Sequence, residues 1–147
     1  MYKHILIPID GSDTAAKALD AGIDFAREAR AKVTLFIAVP EYQPPGEAEV
    51  AGRRVVSLWD HERLSREKAH AILDPAAERL RAAGVECDTA YSECSRPFEA
   101  IVAAAKSHGC DLILMSSHGR SGLAALWYGS ETRDVIAHSH IPTLVYH

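Results

Sequence analysis

Cysteine is scarce and unpatterned in this chain. Cys87, Cys94 and Cys110 are odd in number and lack CxxC spacing, which points away from a disulfide framework and from a thiolate zinc site. Reduced, buried thiols in a cytoplasmic protein are the expectation. Long apolar runs are also missing. No segment approaches the length of a membrane span, and Met1–His4 leads directly into Ile5-Leu6-Ile7, too short for a signal sequence. An excess of positive charge is absent as well: the formal net charge is −4, and Arg53-Arg54 is the only adjacent basic pair. That balance argues against a nucleic-acid binder, which carries a basic face or stripe. The two best-known phosphate signatures, GxxxxGK[ST] and a GxGxxG after a strand, do not occur. His118 has no sequence partner that would make it a general base, and His138 and His140 are two apart, which splays them on a helix. No catalytic residue and no metal site is therefore assigned.

What the chain does have is apolar content, 48% in 147 residues, enough to bury the core of one domain spanning 1–147. Its pattern alternates. Ile5–Ile9 is an apolar run with Pro8 near its end, and Asp10-Gly11-Ser12-Asp13 then supplies turn and N-cap chemistry. The next segment puts Ala15, Leu19, Ile23 and Ala26 on one helical stripe. Val33–Val39 is apolar except for Thr34, as in a central parallel strand covered on both faces. Residues 40–56 contain Pro44-Pro45-Gly46 and read as a long surface loop. Helical pattern follows from about Ser57 to Ala83, interrupted by Pro75, and either one kinked helix or two consecutive helices fits it. Val85–Tyr91 alternates with one wetter face, which suggests an edge strand. Ser95-Arg96-Pro97 starts a helix with Phe98, Ile101, Val102 and Ala105 on its stripe, and Leu112–Met115 is the next strand. The last helix runs from about Ser130 to His138, and Thr143–Tyr146 closes the chain as a strand.

This βαβαβαβαβ order predicts an α/β fold: a doubly wound, five-stranded parallel sheet with helices on both faces. With the first strand between the second and fourth, the strand order is 3-2-1-4-5. Ligands on such sheets bind beyond the carboxyl ends of the strands where the winding reverses. Asp10 and the stretch 116–130 would meet there. That stretch, Ser-Ser-His-Gly-Arg-Ser-Gly-Leu-Ala-Ala-Leu-Trp-Tyr-Gly-Ser, joins a strand to a helix start through small residues, the composition of an anion site or of a plain βα connection.

These residues resemble a known family. Ile5-Leu6-Ile7-Pro8-Ile9-Asp10-Gly11-Ser12, Ser117-His118-Gly119-Arg120-Ser121-Gly122-Leu123, Gly129-Ser130 and Ile141-Pro142-Thr143-Leu144-Val145 together make the chain similar to a universal stress protein domain over nearly its whole length. ATP-binding members carry Gly-x2-Gly-x9-Gly-Ser/Thr. On this chain the pattern falls on Ser116, Gly119, Gly129 and Ser130, with serine where the first glycine is expected. The added Cβ either crowds the nucleotide or contributes a hydroxyl to a ribose or phosphate oxygen.

The resemblance implies a small cytoplasmic regulatory protein that binds ATP, with any Mg2+ held mainly by the phosphates. Gly119, Gly129 and Ser130 form the phosphate cradle, while Arg120 is a phosphate neighbour or a loop salt bridge. Thr132 is a further hydroxyl at the site or faces solvent. Asp10 contacts the ribose or a phosphate-bound metal, or else caps the first helix. Pro8 shapes the rim, and Ala38, Val39 and Met115 are candidate apolar walls for the adenine, with a core role as the alternative for Val39. The last strand, apolar and at a sheet edge, is expected to pair two copies into a homodimer. Two alternatives stand beside this reading: a nucleotide-independent partner-binding module in which the 40–56 loop and Trp59 recruit a protein, and an ATP-using enzyme of unnamed substrate. Any hydrolysis would be slow, because no activated base is visible.

Overall fold

Ile5, Leu6 and Ile7 are wholly shielded from solvent, so the first strand, β1 (His4–Pro8), lies in the middle of a sheet. The computed structural model describes residues 1–44, 57–117 and 130–147. Along the chain, β1 is followed by α1 (Asp13–Ala29), β2 (Lys32–Pro40), α2 (Leu58–Ala82), β3 (Cys87–Cys94), α3 (Pro97–Ser107), β4 (Leu112–Ser116), α4 (Ser130–His138) and β5 (Thr143–Tyr146). The strands form one five-stranded sheet of order β3-β2-β1-β4-β5, and every pairing is parallel. Both the order and the parallel sense are those expected from the alternation of elements.

Side chains alternate across the sheet and separate the apolar residues into two cores. Ile5, Ile7, Val33, Leu35, Ile37, Leu112 and Leu114 pack beneath α1 and α2. Leu6, Phe36, Ile113 and Met115 pack on the opposite face against Ile101, Val102 and Ala105 of α3 and Val135 of α4. The helices that follow β1 and β4 thus leave the sheet on opposite faces, which is the winding reversal itself. α1 sits close to β1 because residue 22 is glycine: a Cβ there would fall 2.6 Å from Ile7 Cδ1.

Three boundaries differ from expectation or settle what the sequence leaves open. α2 is one continuous helix through Pro75. Proline removes the N–H that would bond to the Ala71 carbonyl, but both residues are exposed, so water can satisfy that carbonyl. β2 extends to Lys32 and Pro40. β3 is displaced, spanning Cys87–Cys94 rather than 85–91, because pairing with β2 continues to Pro40 opposite Cys94, while Val85 N–H bonds back to Leu80 in the α2 terminus.

The opposite end of the sheet carries a polar cluster. Thr34, the single polar residue of the β2 run, is fully buried with its hydroxyl 2.8 Å from His4 Nε2. Burial pushes the neighbouring Cys110 thiol up to about 11, the Thr34 hydrogen bond acting weakly the other way. Burial, then the charges of Lys32 and His108, hold the His4 imidazole below its ordinary value. The Asp111 carboxylate accepts the N–H groups of Lys3 (2.9 Å) and His4 (3.0 Å) and so ties the start of β1 to the start of β4. Burial alone would raise its pKa, but these donors outweigh it and the carboxyl lies below its ordinary value. A carboxylate depressed in the folded state contributes stability that is present above about pH 4 and is lost as pH falls through the folded value. Asp111→Ala is expected to cost about 1–2 kcal/mol at neutral pH after solvent screening, and clearly less in acid; urea melts at both pH values measure it.

Candidate functional site

The carboxyl ends of β1, β2 and β4 lie at one end of the sheet, and α1 and α4, which follow β1 and β4, pack on opposite faces of it. Pro8 ends β1 and is half-buried opposite Phe36 of β2. Asp10, two residues further, is also half-buried, and its Oδ1 accepts the Ser12 N–H at 2.9 Å. The cap of α1 is Ser12, whose hydroxyl oxygen accepts the Ala15 N–H at 3.2 Å. Asp10 therefore shapes the turn that leads into α1, and capping falls to the residue two positions on.

Ala38 is half-buried on the α3/α4 face of β2, the face that Met115 shares. Met115 is 6% exposed and belongs to that core, while Val39 is buried in the opposite one beneath α1 and α2. Of the candidate walls, Pro8 and Ala38 thus have the more accessible surfaces.

Ser116 ends β4 and is half-buried. Its carbonyl accepts the Thr132 hydroxyl at 3.0 Å, which pulls the first turn of α4 against the strand end. Thr132 is 2% exposed, so its side chain is a strut between helix and strand; of the two placements open to it from sequence, solvent exposure is not the one adopted. Ser117 is buried, and its N–H donates to the Tyr146 carbonyl at 2.9 Å, which joins the end of β4 to β5. Ser130, the first residue of α4, is exposed. The first turn of any helix has N–H groups without intrahelical partners, and together with the helix dipole they favour an anion. Such donors, the N–H groups of a first helical turn and the exposed Ser130 hydroxyl, suit a nucleotide phosphate, and the Asp10 carboxylate in the turn after β1 is the one acidic group within the proposed set. His118, Gly119, Arg120 and Gly129 lie outside the described residues. Among the described residues, no three His, Cys, Asp or Glu side chains are placed to hold a metal ion.

Sequence reasoning missed Glu131. Glu131 is half-buried in the first turn of α4, and burial raises its carboxyl above the ordinary value, partly opposed by the backbone N–H of Phe98 nearby. Nothing in the sequence marks it, because an acidic residue in a first helical turn is commonplace. The first turns of α2 expose Leu58, Trp59 and Leu64, with Arg63 lying over the Trp59 ring at 5.6 Å. Among the described residues no helix is long and apolar enough to cross a membrane.

Comparison with known proteins agrees with this architecture. The model of the universal stress protein family matches residues 1–147. The universal stress protein YxiE of Bacillus subtilis is 31% identical, with 99% of each chain covered. The solved structure of MJ0577, a universal stress protein of Methanocaldococcus jannaschii, superposes with a TM-score of 0.78 at 30% identity, covering 99% of this chain and 95% of that one. A universal stress protein in complex with cAMP shares the fold at a TM-score of 0.71 and 24% identity, covering 99% of this chain and 97% of that one. On the full-length family match and the relatives at 30% identity or more, the chain belongs to the universal stress protein family.

Proposed function

We propose that this chain is a cytoplasmic regulatory protein of the stress response that binds an adenine nucleotide, ATP in the first place, in the crevice above β1 and β4. The observation that carries the reading is the winding reversal. The Asp10 turn then lies on one side and the first turn of α4, with Ser130 exposed and Thr132 braced on Ser116, on the other. The phosphates rest on Gly129, Ser130 and the α4 N-terminus, with Gly119 and Arg120 beside them and Mg2+ carried mainly by the phosphates themselves. Pro8, Ala38 and Met115 line the base side. The cAMP complex of a protein with this fold supports an adenine ligand. Two copies pair through β5. The chain acts by changing conformation or partner; hydrolysis, if present, is slow.

A second reading, a partner-binding module independent of nucleotide, draws on the apolar patch at the start of α2, where Trp59 is 69% exposed. Ser116 separates the two. If its Cβ crowds a working pocket, Ser116→Gly tightens ATP binding by an amount comparable to the about 1–3 kcal/mol of overpacking. If its hydroxyl bonds the ligand, the same change weakens binding by about 0.5–1.5 kcal/mol. The expected result is tightening, because access at a strand end is why glycine is used there. Calorimetric titration of both proteins decides it, and no binding by either favours the partner module.

A further inference from the structure

The two edges of the sheet are unlike. β5 gives one of them four residues, whereas β3 gives the other eight, Cys87–Cys94, with neither lysine nor proline among them. A long edge without such guards accepts a further strand.

The pairing of β3 fixes which of its backbone groups face outward. The Val33 N–H of β2 bonds to the Glu86 carbonyl at 2.9 Å, and the parallel register sets Val33 beside Cys87. Bonding groups alternate along a parallel strand, so Asp88, Ala90 and Ser92 turn theirs toward β2, while Cys87, Thr89, Tyr91 and Glu93 turn theirs away. Arg81, at the end of α2, donates to the Cys87 carbonyl at 3.0 Å, a group this ladder leaves unused. Beyond that contact, no described residue bonds to the backbone of Thr89, Tyr91 or Glu93.

The charge balance along this open stretch is acidic at both ends. Glu86 and Asp88 are exposed at one end and share Lys32, at 3.4 and 2.6 Å; Glu93 and Glu41 are exposed at the other, with His61 3.6 Å from Glu93. Arg96 and Glu99 pair with each other at 3.3 Å. Burial pushes the Cys94 thiol up, and the carboxylates of Glu131, Glu41 and Glu99 push it further the same way. Between the ends, Tyr91 is 36% exposed and lies edge-on to the His70 ring, with centroids 6.1 Å apart, an apolar surface for a cross-strand neighbour.

We propose that the outer edge of β3 docks an extended, lysine- or arginine-bearing segment of a partner protein, which joins the sheet as a sixth strand. Backbone bonds at Thr89, Tyr91 and Glu93 supply affinity, and the carboxylates at the two ends select cationic side chains. A second copy is the poorer occupant, because two such edges set like charges opposite each other. β2 stands between this edge and the β1–β4 crevice, so the surface serves with or without a nucleotide.

The probe is a blocked eight-residue peptide with two lysines at each end and threonine and valine between, and its control carries glutamates in place of the lysines. Amide exchange of the full chain is followed by NMR. In the free protein the amides of Thr89, Tyr91 and Glu93 should exchange at least tenfold faster than those of Asp88, Ala90 and Ser92. The lysine peptide should slow the first three tenfold or more, lose affinity as salt rises, and bind at least tenfold more tightly than the glutamate peptide. Thr89→Pro removes one outward N–H and leaves the β2 ladder intact, so it should cost tenfold in peptide affinity with an unaltered melt. Should that variant melt early, the wild-type exchange pattern decides alone. A lysine peptide that does not bind, or binds without protecting these three amides, overturns the proposal. Amides already protected in the free protein overturn it too: protection that grows with protein concentration gives the edge to a second copy, and protection independent of concentration gives it to another part of this chain.

Discussion

Ser130→Asp should lose ATP binding by a hundredfold or more while its thermal unfolding stays at or above that of the wild type. The two effects separate because they act through different physics. An aspartate in the first turn of α4 adds a favourable interaction with the helix dipole, worth about 0.3–1 kcal/mol, so the fold loses nothing. The same carboxylate stands where a phosphate would rest. Two like charges about 4 Å apart in an effective dielectric near 20 repel by about 4 kcal/mol, enough for the expected loss. Ser130 is exposed and makes no core contact, so the substitution buries no charge. Calorimetry for ATP and a circular-dichroism melt give both quantities. Retained affinity in a folded Ser130→Asp protein would place the phosphates elsewhere.

Val145→Pro should convert the proposed dimer to monomers without unfolding either copy. The carbonyls of Pro142 and Tyr146 accept hydrogen bonds from Ile113 of β4 and from Ser117 just beyond it. Backbone groups alternate in direction along a strand, so Thr143 and Val145 turn theirs away from β4, toward the open edge. Proline is tolerated on an edge strand where its missing N–H faces outward, so the β4–β5 ladder survives. The outward ladder does not. A two-fold interface repeats each contact, and losing a partnered N–H at about 1–3 kcal/mol in each copy weakens association by about 2–6 kcal/mol. Leu144 and Tyr146, 42% and 38% exposed on that strand, are apolar surface that pairing of two copies would cover. Sedimentation equilibrium of both proteins reads the change; unaltered dimer mass in the variant would move the interface away from β5.

Most of the fold was legible because the apolar pattern obeys one rule throughout: runs buried on both faces in β1, β2 and β4, and stripes in the helices. Ile5–Ile7 and Leu112–Met115 announce central strands with no help from outside the chain. The shift of β3 was not legible, since Ser92, Glu93 and Cys94 carry no strand signature and are held by pairing with β2, a long-range fact. Pro75 left two outcomes open, and what decided between them was the solvent exposure of the carbonyl it orphans. In the site, the turn around Asp10 and the strand-to-helix arrangement at Ser116 and Ser130 could be read from composition. The division of labour between Asp10 and Ser12 could not, because both are good capping residues and only the bond from Ser12 to Ala15 separates them. Thr132 acts through a partner 16 positions away, the Ser116 carbonyl, and no local pattern carries such a pairing.

The bonds from Lys3 and His4 to Asp111 cross more than a hundred positions of sequence. β1, the central strand, precedes the other four in the chain and receives its β4 neighbour only after β2, β3 and the helices between them exist. During synthesis at about 5–20 residues per second, β1 can pair with β2, and β2 with β3, yet the other edge of β1 stays open for several seconds. That edge belongs to Ile5, Leu6 and Ile7, all three wholly buried in the finished molecule. Loop-closure entropy and the high sequence separation of the β1–β4 contact place its completion late and make it slow. For the nascent chain, the hazardous interval is the one in which half of the sheet exists and its middle strand still serves as an edge.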